Sequence, residues 1–259
     1  TDAPTALADV LVNMQGLLVD ALGPQMKAKI DAENFSRNTG RIEARIDTTN
    51  GFLDAFVQGR EDTLRTRKDK PIKAELEITP PLRKRLLQKI HPVLADVRTT
   101  EQPLRITMSN LVSPLDGDMR KLNADIEITI GKVEFDSGST TLKLLSFFNQ
   151  KNREVIPGEI EPIIARIRDG ILTYDSFAMH IDKYRLVYTG TVDLVNKTVD
   201  LKTEVPLDAL GHTFKELQGI TANAVLPMVT RGPIDDPKTE VDVGSGLGGL
   251  LKGLGGKKQ

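Results

Sequence analysis

The sequence predicts an α+β fold that is mainly β, an antiparallel sheet with a few short amphipathic helices. Apolar and polar residues alternate over many short stretches, turn-forming residues separate those stretches, and three- or four-residue spacing occurs in few places. The pattern is densest in the last third. There Tyr184, Leu186, Tyr188, Val192 and Leu194 share one strand face, while Arg185, Thr189, Thr191 and Asp193 share the other.

Taken in order, Leu7, Leu11, Met14, Leu18 and Leu22, between Pro4 and Gly23-Pro24, predict a helix over 5–22. Met26, Ala28, Ile30 and Ala32 then alternate, as do Ile42, Ala44 and Ile46. With Asn38-Thr39-Gly40 between them, these make a hairpin. Residues 52–59 read as a strand or a helical turn. The charged run 60–70 reads as a solvated hairpin edge or loop rather than a functional basic patch, because Glu61, Asp62 and Asp69 sit among its basic residues. Ala74, Leu76 and Ile78 form the next strand. Pro80-Pro81 opens a second helix with a Leu82, Leu86, Ile90, Leu94 stripe, which Pro92 kinks or shortens.

Leu104, Ile106 and Met108 alternate, and Leu122, Ala124, Ile126, Ile128 and Ile130 do so most cleanly. Gly131 then shifts the phase to Val133 and Phe135, the mark of a bulge that curves a sheet. A short helix is expected over 141–149, with Pro157-Gly158 separating it from a strand over 160–167. Strands follow over 171–181, 184–195 and 198–205, then a helix over 207–217 and a strand over 224–229. Residues 1–243 thus read as one elongated domain, and the Gly- and Leu-rich 244–259 as a flexible tail.

Composition narrows the function. Lys and Arg number 35 against 36 Asp and Glu, so no net charge draws the chain to nucleic acid or an anionic membrane. Cysteine is absent, which removes disulfides, thiolate metal sites and cysteine nucleophiles. No apolar run approaches the ~20 residues that span a bilayer. The start at Thr1, with no basic and apolar leader, suggests a processed or truncated piece of something longer. His91, His180 and His212 have no ligand-spaced partners, Ser146 and Ser176 lack a nucleophile elbow, and Asp235-Asp236 with Glu240 and Asp242 reads as a turn. No catalytic residue, metal or cofactor is therefore expected.

Residues 158–243 resemble the C-terminal part of AsmA-like proteins, the bacterial-envelope group that includes TamB. The resemblance is carried by Asp169-Gly170-Ile171-Leu172-Thr173-Tyr174 with Phe177-Ala178-Met179, by Gly190-Thr191-Val192-Asp193-Leu194 and by Thr198-Val199-Asp200-Leu201. It continues through Val225-Leu226-Pro227-Met228-Val229, Gly232-Pro233 and Asp236-Pro237. It implies a long, twisted antiparallel sheet curled into a groove, covered by a few short helices and holding phospholipid chains, in lipid transport or outer-membrane biogenesis. The implied place is the periplasmic side of a cell envelope, with an anchor outside this chain and membrane or envelope proteins as partners.

Alternation alone describes a closed core under a helix or second sheet more readily than a groove. Joined to the resemblance, it makes Leu186, Tyr188, Val192, Leu194, Val199, Leu201, Ile126, Ile128 and Ile130 the candidate lipid-facing residues of a partly open groove. The alternative is a scaffold, its sheet packed under helices 5–22 and 82–95, that binds protein partners through an edge strand.

Overall fold

The computed structural model describes residues 2–6, 19, 22–36, 39–136, 154–181, 183–206 and 225–242. They form one sheet of eighteen strands, with every pairing antiparallel. The strands are β1 (Asp2–Pro4), β2 (Gln25–Ser36), β3 (Thr39–Thr48), β4 (Gly51–Arg60), β5 (Thr63–Thr66), β6 (Ile72–Leu76), β7 (Val97–Thr100), β8 (Leu104–Pro114) and β9 (Asn123–Thr129). Then come β10 (Gly131–Asp136), β11 (Val155–Ile160), β12 (Ile163–Arg168), β13 (Ile171–Ser176), β14 (Ala178–Ile181), β15 (Tyr184–Asp193), β16 (Thr198–Pro206), β17 (Val225–Pro233) and β18 (Lys238–Val241).

The pairings give a plain meander. β5 and β6 lie in line as one rung, as do β7 with β8, β9 with β10, β11 with β12, and β13 with β14. From β2 onward each rung pairs with the one before and the one after it in the chain. β1 adds a short ladder outside β2.

Directly opposed residues in antiparallel strands share a face, so apolar alternation in each rung builds one apolar side. One row of opposed pairs runs Ala28, Ile46, Leu53, Ala74, Ile106, Ile128, Ile163 across seven rungs. Another runs Ala124, Ile167, Leu172, Val192, Val199. The opposite side is charged, with cross-strand ion pairs such as Arg105–Glu75 at 3.1 Å and Arg231–Asp200 at 3.2 Å.

Three adjacent rungs switch alternation phase at one level. Buried positions pass from Ile126, Ile128 and Ile130 to Val133 and Phe135, from Ile156 and Ile160 to Ile163 and Ala165, and from Leu172 and Tyr174 to Phe177 and Met179. Gly131, at φ +77°, makes the first switch. A register shift between Ile164 and Ala165 accompanies the third. Aligned irregularities keep every face matched while creasing the sheet. On the charged side the Glu161 carboxylate spans the crease. It accepts from Arg185 Nε at 2.6 Å, Arg185 Nη2 at 2.8 Å and His180 Nε2 at 2.7 Å, and these bonds pull its pKa from 4.5 to about 2.

Helix α1 covers the apolar side of the crease. It runs through Pro80–Leu82, a π-turn at Arg83–Leu87 and Gln88–Ile90, with Thr79 Oγ1 accepting from Leu82 N–H as its cap. A 3₁₀ turn, Pro92–Asp96, follows. Arg83 Nη1 donates to Val97 O (2.8 Å) and Gln88 Nε2 to Ile234 O (3.4 Å). Those carbonyls lie six rungs apart, ~29 Å along the sheet. The two anchoring residues are separated by only about 7.5 Å of helix axis. Even extended side chains do not bridge a flat sheet of that width, so the strands curl around α1.

Several expectations need correction. The stripe buried on this helix is Leu82, Leu87, Ile90, Val93 and Leu94, with Leu86 half-buried, because the π-turn and Pro92 rotate it. Of the two readings of 52–59 the strand holds, and the 60–70 run contains β5, which pairs with both β4 and β8. Two of its basic residues pair with acids, Arg67–Asp69 at 2.7 Å and Lys70–Glu43 at 3.4 Å, and Lys70 also sits 4.5 Å over the Phe56 ring. Pro157 and Gly158 lie inside β11 rather than before a strand. Pro157 is tolerated because the β14 ladder ends at Gly158, and a Cβ on Gly158 would meet the Phe135 ring at 2.8 Å.

Thr5 N–H donates to Pro24 O at 3.0 Å. Thr5, Ala6, Val19 and Leu22 are helical, and Leu22 is buried in the core. The intervening positions, the helices expected over 141–149 and 207–217, and the 244–259 tail lie outside the described residues.

Gly190, opposite Leu201, holds φ +115°, and a Cβ there would sit 2.2 Å from Asp200 O. Gly190→Ala is expected to cost about 1–3 kcal/mol, read as a lower urea midpoint, through backbone strain and strand displacement. An unchanged midpoint would show that β15 and β16 separate there freely.

A candidate apolar binding face

The face built by the alternation has two halves that differ in access. In the C-terminal half, Leu186, Tyr188, Val192, Val199, Leu201, Ile126, Ile128 and Ile130 are all 8% exposed or less, and Leu194 is half-buried. They share one face, as the sequence predicts. They do not line an open groove, because α1 and the curled sheet close over them as one core with Leu82, Leu87, Val93 and Leu94. An apolar ligand reaches them only if α1 leaves. Each fully buried helix side chain opposes that by about 1.5–3 kcal/mol.

In the N-terminal half the face opens. Ile128, fully buried, is followed along its row by Ile106, Leu53 and Ile46, all half-buried, and in the next row Ile30 is 61% exposed. Ile42 and Val57, paired across β3 and β4, are half-buried too. Ile46, Ala74, Ile106 and Met108 pack against the closed core, so the open and closed parts form one surface. The cleanest alternation marks the best-covered strands, so the residues it points to lie at the buried end. The accessible residues alternate equally but are interspersed with Ala28, Ala32, Ala44 and Ala55, a weaker signal.

His91 is the polar feature of the closed half. Its extended backbone, φ −156°, ends α1 and turns the ring into an aromatic nest of Tyr174, Phe177 and Tyr188, at centroid distances of 5.8, 4.8 and 4.7 Å. Val93 N–H donates to Nδ1 at 3.1 Å, which places the proton of the neutral ring on Nε2. Nε2 is buried without a hydrogen-bond partner. Tyr174 Oη donates to Ile90 O, and Tyr188 Oη to Met179 Sδ at 3.7 Å. Burial raises both phenol pKa values and pulls that of His91 from 6.5 to about 3. The ring is a neutral wedge in the crease.

Elsewhere, His180 is occupied by Glu161, Ser176 ends β13, and Asp235 and Asp236 lie in the turn after β17. His212 and Ser146 lie outside the described residues. Among the described residues no cluster of three or more His, Asp or Glu side chains is placed to hold a metal ion, and no helix is long and apolar enough to cross a membrane. No family model, curated protein or solved structure matches the chain.

His91 gives a signed pH prediction. Its folded pKa lies below its unfolded value, so it costs nothing above pH 6.5, and stability falls as pH drops from 6.5 towards 3. The slope is about 1.4 kcal/mol per pH unit. Urea unfolding between pH 6.5 and 5, above the range where carboxylates titrate, should show this slope in the parent and a flatter one in His91→Phe. Equal slopes would mean that protonated His91 is accommodated.

Proposed function

We propose that this protein is a non-enzymatic lipid-binding module that takes acyl chains onto the open, N-terminal half of its apolar face, with α1 plugging the closed half. The observation that carries the reading is the gradation along one surface, from fully buried Ile128 through half-buried Leu53 to Ile30 at 61% exposure. A soluble domain that needed only a core would end its apolar face where its cover ends. The charged side and the near-neutral balance leave apolar area as the main source of affinity, at roughly 0.8 kcal/mol per buried methylene, so a long chain is held while its headgroup stays in water.

The likeness of residues 158–243 to AsmA-like proteins supports the same reading and adds a setting, the periplasmic side of a bacterial envelope, in lipid transport or outer-membrane biogenesis. A closed scaffold that binds protein partners is the competing reading, and the burial of the C-terminal half favours it.

Native mass spectrometry of protein purified with its lipids separates the two. The parent should carry phospholipid, and the pair Ile30→Asp and Leu53→Asp should lose most of it while keeping the parent's far-ultraviolet dichroism. A lipid-free parent would remove the lipid reading and leave the scaffold.

A further inference from the structure

β18 is the last described strand of the meander, and among the described residues it pairs with β17 alone. Asp242 N–H bonds Pro227 O on the β17 side. Alternation then gives the backbone groups of Glu240 and Lys238 to that inner ladder and turns those of Val241 and Thr239 outward. A row of unpaired N–H and C=O groups is a template for another strand.

The side chains of this edge form a self-complementary set. Opposed residues share a face, so Thr239 and Val241 join Thr230 and Met228 on the apolar side, while Lys238 and Glu240 join Arg231 and Val229 on the charged side. Lys238 thus lies directly opposite a like charge, and Asp200 already matches that charge at 3.2 Å. Glu240 lies opposite an aliphatic side chain. Both are exposed, and neither has an ion pair among the described residues. The edge presents one unmatched cation and one unmatched anion, two residues apart on the same side.

A second β18 laid antiparallel against the first matches both in one register. With the two-fold axis at Thr239, the Thr239 residues of the two copies meet as a hydrogen-bonding pair, because both turn their backbone groups outward. Lys238 of each copy then faces Glu240 of the other on the charged side. On the apolar side Val241 of each copy meets Pro237 of the other, and Pro237 has no N–H to leave unpaired there. The other registers fail. An axis at Lys238 or at Glu240 sets that residue against its own copy, and an axis at Val241 sets Glu240 against Asp242. An axis between two residues sets apolar side chains against charged ones.

We propose that this protein forms a two-fold dimer through β18, its two sheets joined edge to edge with their apolar sides facing the same way. The contact is isologous and uses the β18 of both copies, so assembly stops at two. The ladder is short and its ion pairs are exposed, which makes the association reversible and weaker at high salt.

Sedimentation velocity of the full chain over about three decades of concentration tests this. The parent should pass from one chain to two and no further. Lys238→Glu sets acid against acid at both junctions and should weaken association tenfold or more. It also relieves the opposition to Arg231, so the hairpin of β17 and β18 is not put at risk. Glu240→Lys sets base against base and should weaken association to a similar extent. The double variant Lys238→Glu/Glu240→Lys restores opposite charges at both junctions and should dimerise as the parent does. An equimolar mixture of the two single variants should form a heterodimer. Thr239→Pro removes an outward N–H that β17 does not use and should leave a monomer at every concentration. Unchanged circular dichroism confirms that each variant folds. A parent that stays monomeric or grows beyond two chains, single variants that associate as well as the parent, or a double variant no better than the singles would each overturn the proposal.

Discussion

Everything in this molecule depends on keeping alternation in phase from rung to rung. A slip of one residue in any ladder would turn every apolar side chain of the following strand to the charged side. The chain manages the risk by switching phase in three neighbouring rungs at one level, at Gly131, at Glu161-Pro162 and between Tyr174 and Phe177. A switch in one strand alone would break the face; a switch shared by neighbours bends it. The bend is held from outside by the Glu161 carboxylate between Arg185 and His180, and from inside by His91 against Tyr174, Phe177 and Tyr188.

The same arrangement divides the surface. Where the sheet curls around α1, burial is complete and the residues behave as core. Towards β2 no described element covers the face, and the residues become progressively accessible. An acyl chain bound as proposed would meet a surface continuous with the core but not sealed by it. Its affinity would scale with the methylenes laid along Leu53, Ile46 and Ile30, and displacing α1 with the 3₁₀ turn after it would extend the site at the expense of buried Leu82, Leu87, Val93 and Leu94.

Much of the fold was legible in the sequence because period-two patterning reports which side of a strand is apolar. The hairpin of Met26–Ala32 with Ile42–Ile46, the phase shift at Gly131 and the common face of Leu186, Tyr188 and Val192 all follow from that rule. What covers a face is a tertiary fact, and alternation is silent about it. The nine residues expected to line a groove are mostly closed core for that reason. Pro157 reads as a breaker locally and is permitted in β11 only because its neighbour strand ends beside it. The π-turn at Arg83–Leu87 moves burial from Leu86 to Leu87, which no helical wheel anticipates. The like-charged pair Lys238–Arg231 becomes visible only once the register is known.

The most direct test of the account is the position at which an acyl chain contacts the protein. A phospholipid with a photoreactive terminal methyl region, cross-linked to the full chain and mapped by peptide sequencing, reads that position without relying on a mutant. The account predicts labels on β2 to β4, at Ile30, Ile42, Leu53 and Val57, and few or none on β13 to β16. Labels concentrated on Leu186, Tyr188 or Val199, or on the charged side of the sheet, would contradict it.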